Sequence, residues 1–114
     1  MMSRTQLLKG ILDACIMTVI REQPVYGYEL ALKLQDAGLP EITQGTIYPV
    51  LLRLQKKGYI TSEQRESPAG PKRKYYFLTS EGEIELENIA DEWENIVIPV
   101  NKLLGKGDVN NGDD

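Results

Sequence analysis

The stretch Thr43-Gln44-Gly45-Thr46-Ile47-Tyr48-Pro49-Val50-Leu51-Leu52-Arg53-Leu54-Gln55-Lys56-Lys57-Gly58 decides the fold. Ile47, Val50, Leu51 and Leu54 recur at the period of one helix face. Thr43 offers a hydroxyl for the helix start, and Gly58 suits the left-handed position where helices end. Just upstream, Tyr26 to Ala37 sets Leu30, Leu34 and Ala37 on one face and is followed by Gly38, which predicts a second short helix. Two short helices joined by a tight connection predict a helix-turn-helix.

Toward the N-terminus, Leu7, Leu8, Ile11, Leu12, Cys15, Ile16, Val19 and Ile20 predict one continuous helix. It starts at a capping box, Ser3-Arg4-Thr5-Gln6, and is stopped by Pro24. Lys9 and Asp13 are spaced to pair on its exposed side. Toward the C-terminus, Tyr59 to Arg65 and Lys74 to Thr79 are rich in strand formers and flank Ser67-Pro68-Ala69-Gly70-Pro71, a loop composition, so a β-hairpin is expected. Ser80-Glu81-Gly82-Glu83 reads as a second capping box and opens a last helix. In that helix Leu86, Ile89, Trp93, Ile96, Val100 and Leu103 follow one another at spacings of 3, 4, 3, 4 and 3, a coiled-coil seam. Pro99 predicts a kink or an early end near Ile98.

The expected architecture is mainly α with a small β-hairpin: a winged helix-turn-helix over residues 1–79, a C-terminal dimerisation helix over 80–104, and a disordered tail over 105–114. A chain of 114 residues has room for one core. It contains no run of eighteen apolar residues, and its N-terminus lacks the apolar stretch of a secretory signal, so a cytoplasmic location is expected.

With no histidine and a single cysteine, no Cys/His zinc site can be assembled, and Cys15 reads as a small buried apolar residue. The missing histidine also removes the commonest general base, and no serine or cysteine has a visible activating partner, so neither an enzyme nor a cofactor is expected. Glu81 with Glu85, and Glu83 with Glu87, sit one turn apart, but their place in a helix's first turns explains them without a metal.

The net charge of −4 conceals a segregation. Residues 43–74 carry seven cations against two carboxylates, residues 80–114 two against ten, and the first 42 sum to −1. Local field, not net charge, attracts a phosphate backbone, so the basic segment is a candidate DNA face. If the apolar positions of the third helix face inward, then Gln44, Gly45, Tyr48, Pro49, Arg53 and Lys56 lie outward, and Thr43 and Thr46 at the helix start join them as candidate DNA-binding residues. Gln44 can pair with an adenine edge, Gly45 permits close backbone approach, and Tyr48 can meet a thymine methyl or a phosphate. Arg53 and Lys56 are placed for phosphate, as are Lys72, Arg73 and Lys74 at the hairpin. Tyr75 and Tyr76 alternate, so one faces the core and the other faces out.

Specific stretches match a known family: Leu7-Leu8-Lys9-Gly10, Tyr26-Gly27-Tyr28-Glu29-Leu30, Gly45-Thr46-Ile47-Tyr48-Pro49 with Leu52-Arg53-Leu54 and Lys57-Gly58, Gly70-Pro71-Lys72-Arg73-Lys74-Tyr75-Tyr76, Leu78-Thr79, and Trp93. Over roughly residues 7–97 the chain resembles PadR-type transcriptional regulators. The resemblance implies a dimeric repressor on a palindromic double-stranded operator. The third helix would enter the major groove, the hairpin would flank it, and the last helix would pair with a second copy. The single C-terminal helix looks like the short subgroup, which includes multidrug-sensing members.

Trp93 then has two readings. It packs in the seam, or it lines an interface pocket for a small planar aromatic effector, with Leu8, Leu12, Cys15 and Ile16 as walls and Ile89 and Ile96 as seam neighbours. An anion is less expected there beside Glu87, Asp91, Glu92 and Glu94. The competing function is a winged-helix protein-interaction module without DNA binding.

Overall fold

The computed structural model describes residues 4–68 and 70–107. Its elements are α1 (Arg4–Leu8), α2 (Leu12–Glu22), β1 (Val25–Tyr26), α3 (Gly27–Asp36), α4 (Gln44–Lys56), β2 (Ile60–Ser67), β3 (Gly70–Leu78) and α5 (Ser80–Leu104). The fold is a winged helix followed by one long helix. No described helix is long and apolar enough to cross a membrane.

The helix expected to run unbroken from the N-terminus is two helices. Lys9 N–H donates to the Gln6 carbonyl (3.3 Å) and Ile11 N–H to the Leu8 carbonyl (2.9 Å), so the chain tightens into a turn around Gly10, a poor helix former. The apolar period of one segment is therefore not carried into the other. Ser3, and with it the expected capping box, lies outside the described residues. Asp13 does not partner Lys9; its carboxylate bonds Arg53 instead.

The core gathers Leu12, Ile16, Met17 and Ile20 of α2, Leu30, Ala31 and Leu34 of α3, and Ile47, Val50, Leu51 and Leu54 of α4. Val25, Ile60 and Tyr76 of the sheet, Leu86 of α5, Ala14 of α2 and the fully buried Ile42 between α3 and α4 complete it. Each large aliphatic side chain fully removed from water contributes about 1.5–3 kcal/mol. Ala37, expected on the inner face of α3, is exposed, because α3 ends one residue earlier; Gly38 follows with a φ of 113°.

The sheet has three strands in the order β1-β3-β2, all antiparallel neighbours. The third strand is a departure from the expected hairpin: Val25 and Tyr26, two β-formers freed by Pro24, pair with Tyr76 and Tyr75. Tyr26 therefore belongs to a strand and not to the helix, and its N–H donates to Glu29 Oε1 (3.3 Å) at the start of α3. The hairpin is also longer than its composition suggested. Ser67 pairs with Gly70, and Gly70 and Pro71 lie within β3, which carries the projecting wing.

The cap of α5 is Thr79, not Ser80. Its Oγ1 accepts from the Gly82 N–H (3.0 Å) and donates to the Gly58 carbonyl (2.7 Å), so one hydroxyl ties the end of the α4 turn to the start of α5. The early end expected near Ile98 does not occur. Pro99 removes only one backbone bond, and the helix continues to Leu104, where Gly105 closes it at a φ of 75°. Beyond Ile89, which still packs against the core, the helix leaves it; Trp93, Ile96, Val100 and Leu103 are exposed. Most of the expected tail, residues 108–114, lies outside the described residues.

Candidate nucleic-acid interface

Burial of Ile47, Val50, Leu51 and Leu54 orients α4, leaving Gly45, Tyr48, Pro49, Leu52, Arg53 and Lys56 exposed on its other side. Thr43 holds the N-cap position in an extended conformation, with no capping bond from its side chain; its carbonyl accepts from the Thr46 and Ile47 N–H groups (3.0 and 3.1 Å). Thr46 and Gln44 are half-buried.

Tyr48 is held from two sides. Its hydroxyl donates to Gln44 Oε1 (3.3 Å), and its ring end lies against Gly27, where a Cβ would stand 2.7 Å from Oη and 2.9 Å from Cζ. Paired recognition of adenine needs both amide atoms of Gln44. Here Tyr48 takes one of the two lone pairs of Gln44 Oε1, so an adenine amino group would share that oxygen with the Tyr48 hydroxyl.

Arg53 is not a free cation. Its Nη2 lies 2.6 Å from Asp13 Oδ1, a bond that joins α4 to the first turn of α2. Lys56, one turn further along the outward side, is exposed.

The expected basic cluster of the hairpin is divided by the alternation of β3. Tyr76 is buried and Tyr75 is not, which assigns the inner and outer faces. Lys74 shares the inner face with Tyr76 and borders a groove of about 340 Å³ with Tyr48, Leu52 and Gln55 of α4. Arg73 lies on the outer face, its guanidinium 4.4 Å from the centroid of the Tyr26 ring. Arg65 stacks beside it over Tyr75 and Phe77 (5.0 and 5.1 Å) and pairs with Glu63 (2.9 Å). Lys72, near the tip, is 3.7 Å from Glu66. Burial, reinforced by Tyr48 nearby, pushes the Tyr76 phenol up, so it stays protonated and neutral.

A second concavity, of about 290 Å³, lies between the α1–α2 turn and α5, lined by Leu7, Gly10, Ile11, Ile89, Glu92, Trp93 and Ile96. Ile89, Trp93 and Ile96 come together there as expected. Leu8, Leu12, Cys15 and Ile16 do not line it, Ile16 being fully buried in the core; the break at Gly10 brings Leu7 and Ile11 to the wall in their place. Gly10, a helix breaker inside an apolar repeat, was the available signal. Cys15 instead borders a groove between α2 and α3 with Thr18, Leu34 and Leu39. Burial pushes its thiol up. Among the described residues no group of three or more acidic or cysteine side chains is placed to hold a metal ion.

The family profile "Transcriptional regulator PadR-like family" matches residues 16–88. The crystal structure of a PadR-like transcriptional regulator from Bacillus cereus is similar at 44% identity over 90% of this chain and 99% of that one, with a TM-score of 0.79. A Streptococcus transcriptional regulator is similar at 41% identity over 88% and 98% of the two chains, with a TM-score of 0.77. An uncharacterised protein of Lysinibacillus sphaericus is 34% identical over 97 residues, 83% of this chain and 89% of that protein.

Proposed function

The chain belongs to the PadR-like family of transcriptional regulators, and from that membership we propose that it is a cytoplasmic homodimeric repressor released from DNA by a small aromatic ligand. Residues 1–79 serve DNA binding and residues 80–104 dimerisation. As a family member it is a DNA-binding regulator; the repressor role, the pairing and the ligand are the proposal.

The observation that carries it is the uncovered strip of α5. Trp93 is 49% and Leu103 87% exposed, on a helix whose earlier residue Leu86 is buried. A second copy crossing this strip covers it and sets two α4 helices apart, each for one half-site of a palindrome, with half-site centres about 34 Å apart. The same pairing closes the cavity at Trp93 from its open side, which favours a flat apolar ligand stacked on indole. Glu92 on the wall disfavours an anion. A ligand that alters the spacing of the two α4 helices weakens operator binding by its differential affinity for the two arrangements.

The test is a fluorescence-anisotropy titration of the gene's upstream DNA at two salt concentrations with unlabelled competitor, repeated with a panel of neutral planar aromatics. Competitor-resistant, salt-sensitive binding that an aromatic compound weakens, and that Trp93→Ala renders insensitive to the compound, supports the reading. Binding indifferent to every compound and to Trp93→Ala removes the ligand; salt-insensitive capture of a protein in place of DNA replaces the reading with an interaction module.

A further inference from the structure

Leu52 is 61% exposed although it stands in the run Val50-Leu51-Leu52, where an apolar pattern alone reads as core. It lies four residues after Tyr48 and four before Lys56, so the three share one strip along α4. Tyr48 is itself 48% exposed. Tyr48 and Leu52 form one wall of the groove whose far side is Lys74 of β3, with Gln55 and Tyr76 completing it.

This is an apolar ledge between two cations, Lys56 on its own helix and Lys74 across the groove. The complement is a surface with a small apolar knob set between negative charges. In the major groove the thymine C5-methyl is the one such knob a base pair presents, and phosphates flank it on both sides. A protein surface matching the ledge would also have to neutralise both lysines, which the methyl and its flanking phosphates do without further fitting. We propose that Leu52, supported by Tyr48, is a specificity-determining residue that selects thymine at one symmetric position of each half-site by packing on its methyl group. The inference rests on DNA binding by α4 and adds what one position of it reads.

The experiment is selection of bound sites from a random duplex pool by the full-length protein, followed by replacement of each thymine in the selected site by deoxyuridine, which deletes only the methyl. We expect one symmetry-related position where the replacement weakens wild-type binding about fourfold, the worth of one buried methyl-sized group. Leu52→Ala should bind the thymine and uracil sites equally there while keeping the wild-type response everywhere else. Because Leu52 is exposed, Leu52→Ala should melt like the wild type; Leu52→Met, which keeps an apolar contact, should retain most of the discrimination. A deoxyuridine penalty that persists unchanged in Leu52→Ala, or no penalty at any position, overturns the assignment while leaving DNA binding intact. A pool that yields no enriched sequence overturns DNA binding by α4 and the assignment with it.

Discussion

Asp13 Oδ1 stands 2.6 Å from Arg53 Nη2, so the outward side of α4 is tied to the first turn of α2. Both side chains reach solvent, and such a pair contributes about 0–1 kcal/mol to stability. Its larger effect is on which cations are available to DNA. A guanidinium already bonded to a carboxylate releases little counterion when a phosphate approaches, whereas Lys56 and Lys74 form no ion pair among the described residues. In plots of log binding constant against log salt, Lys56→Ala and Lys74→Ala should each lower the slope by about 0.9. Arg53→Ala should leave the slope within error of wild type. A full decrement for Arg53→Ala shows that the guanidinium leaves Asp13 for a phosphate on binding.

Gly27 and Tyr48 make a second such link. A methyl group at position 27 would meet the hydroxyl end of the Tyr48 ring at 2.7 Å. Because that end of the side chain can swing outward, Gly27→Ala should cost about 1 kcal/mol in urea unfolding, the low end for overpacking. The displaced ring gives up Gln44 and its place on the outward strip, so operator affinity should fall several-fold more than stability suggests. In a Tyr48→Ala background the same substitution should change affinity little. Equal losses in both backgrounds would show that Gly27 acts through the backbone and not through Tyr48.

Much of this arrangement was legible in the residues, and the failures have physical causes. The α4 face was readable because Ile47, Val50, Leu51 and Leu54 all obey one period and all are buried. Leu52 was placed on neither face, because a leucine outside the buried period offers no polar chemistry, and its role emerges only when Tyr48 and Lys74 are seen beside it. β1 escaped notice because two residues carry no period, and only the partner strand identifies them. The wall of the Trp93 cavity was misassigned because a single period was carried across Gly10. Arg53 looked free because Asp13, forty residues away in sequence, is invisible to local spacing.

The exposed strip of α5 makes a direct prediction. If Trp93, Ile96, Val100 and Leu103 pair with a second copy, sedimentation equilibrium should give a dimer for the wild type. Ile96→Asp should shift it to monomer and lower operator affinity by an order of magnitude or more, since the two half-sites are then bound independently. The far-ultraviolet spectrum should hold, because Ile96 is half in water and contributes little to its own chain's core. A wild-type monomer, or a dimer unmoved by Ile96→Asp, places the interface elsewhere.

Gly82 offers a sharper stability test. It is buried in the first turn of α5, and an added Cβ would collide with the Tyr59 carbonyl, a backbone atom with no rotamer to relieve it. That carbonyl also accepts the Thr79 N–H (3.1 Å), so moving it disturbs the cap as well. Gly82→Ala should therefore destabilise by about 1–3 kcal/mol or more, despite the better helix propensity of alanine. Urea unfolding of the single variant checks this; a variant as stable as wild type would mean that α5 can lift from Tyr59 without loss.

Cys15 tests the α2–α3 groove. Burial holds its thiol above the usual range, so little thiolate is present near neutral pH and labelling by a disulfide reagent should be slower than for free cysteine. In urea the rate should rise to the free value. The same shift carries a pH dependence: the folded thiol keeps its proton more tightly than the unfolded one. Its contribution to stability is therefore complete below the unfolded pKa and is lost as the pH rises through the folded value. Cys15→Ala should flatten the fall in stability above that pH. Labelling at the free-cysteine rate in native buffer would mean that the thiol is open to solvent and that the groove between Thr18 and Leu39 is wider than its walls indicate.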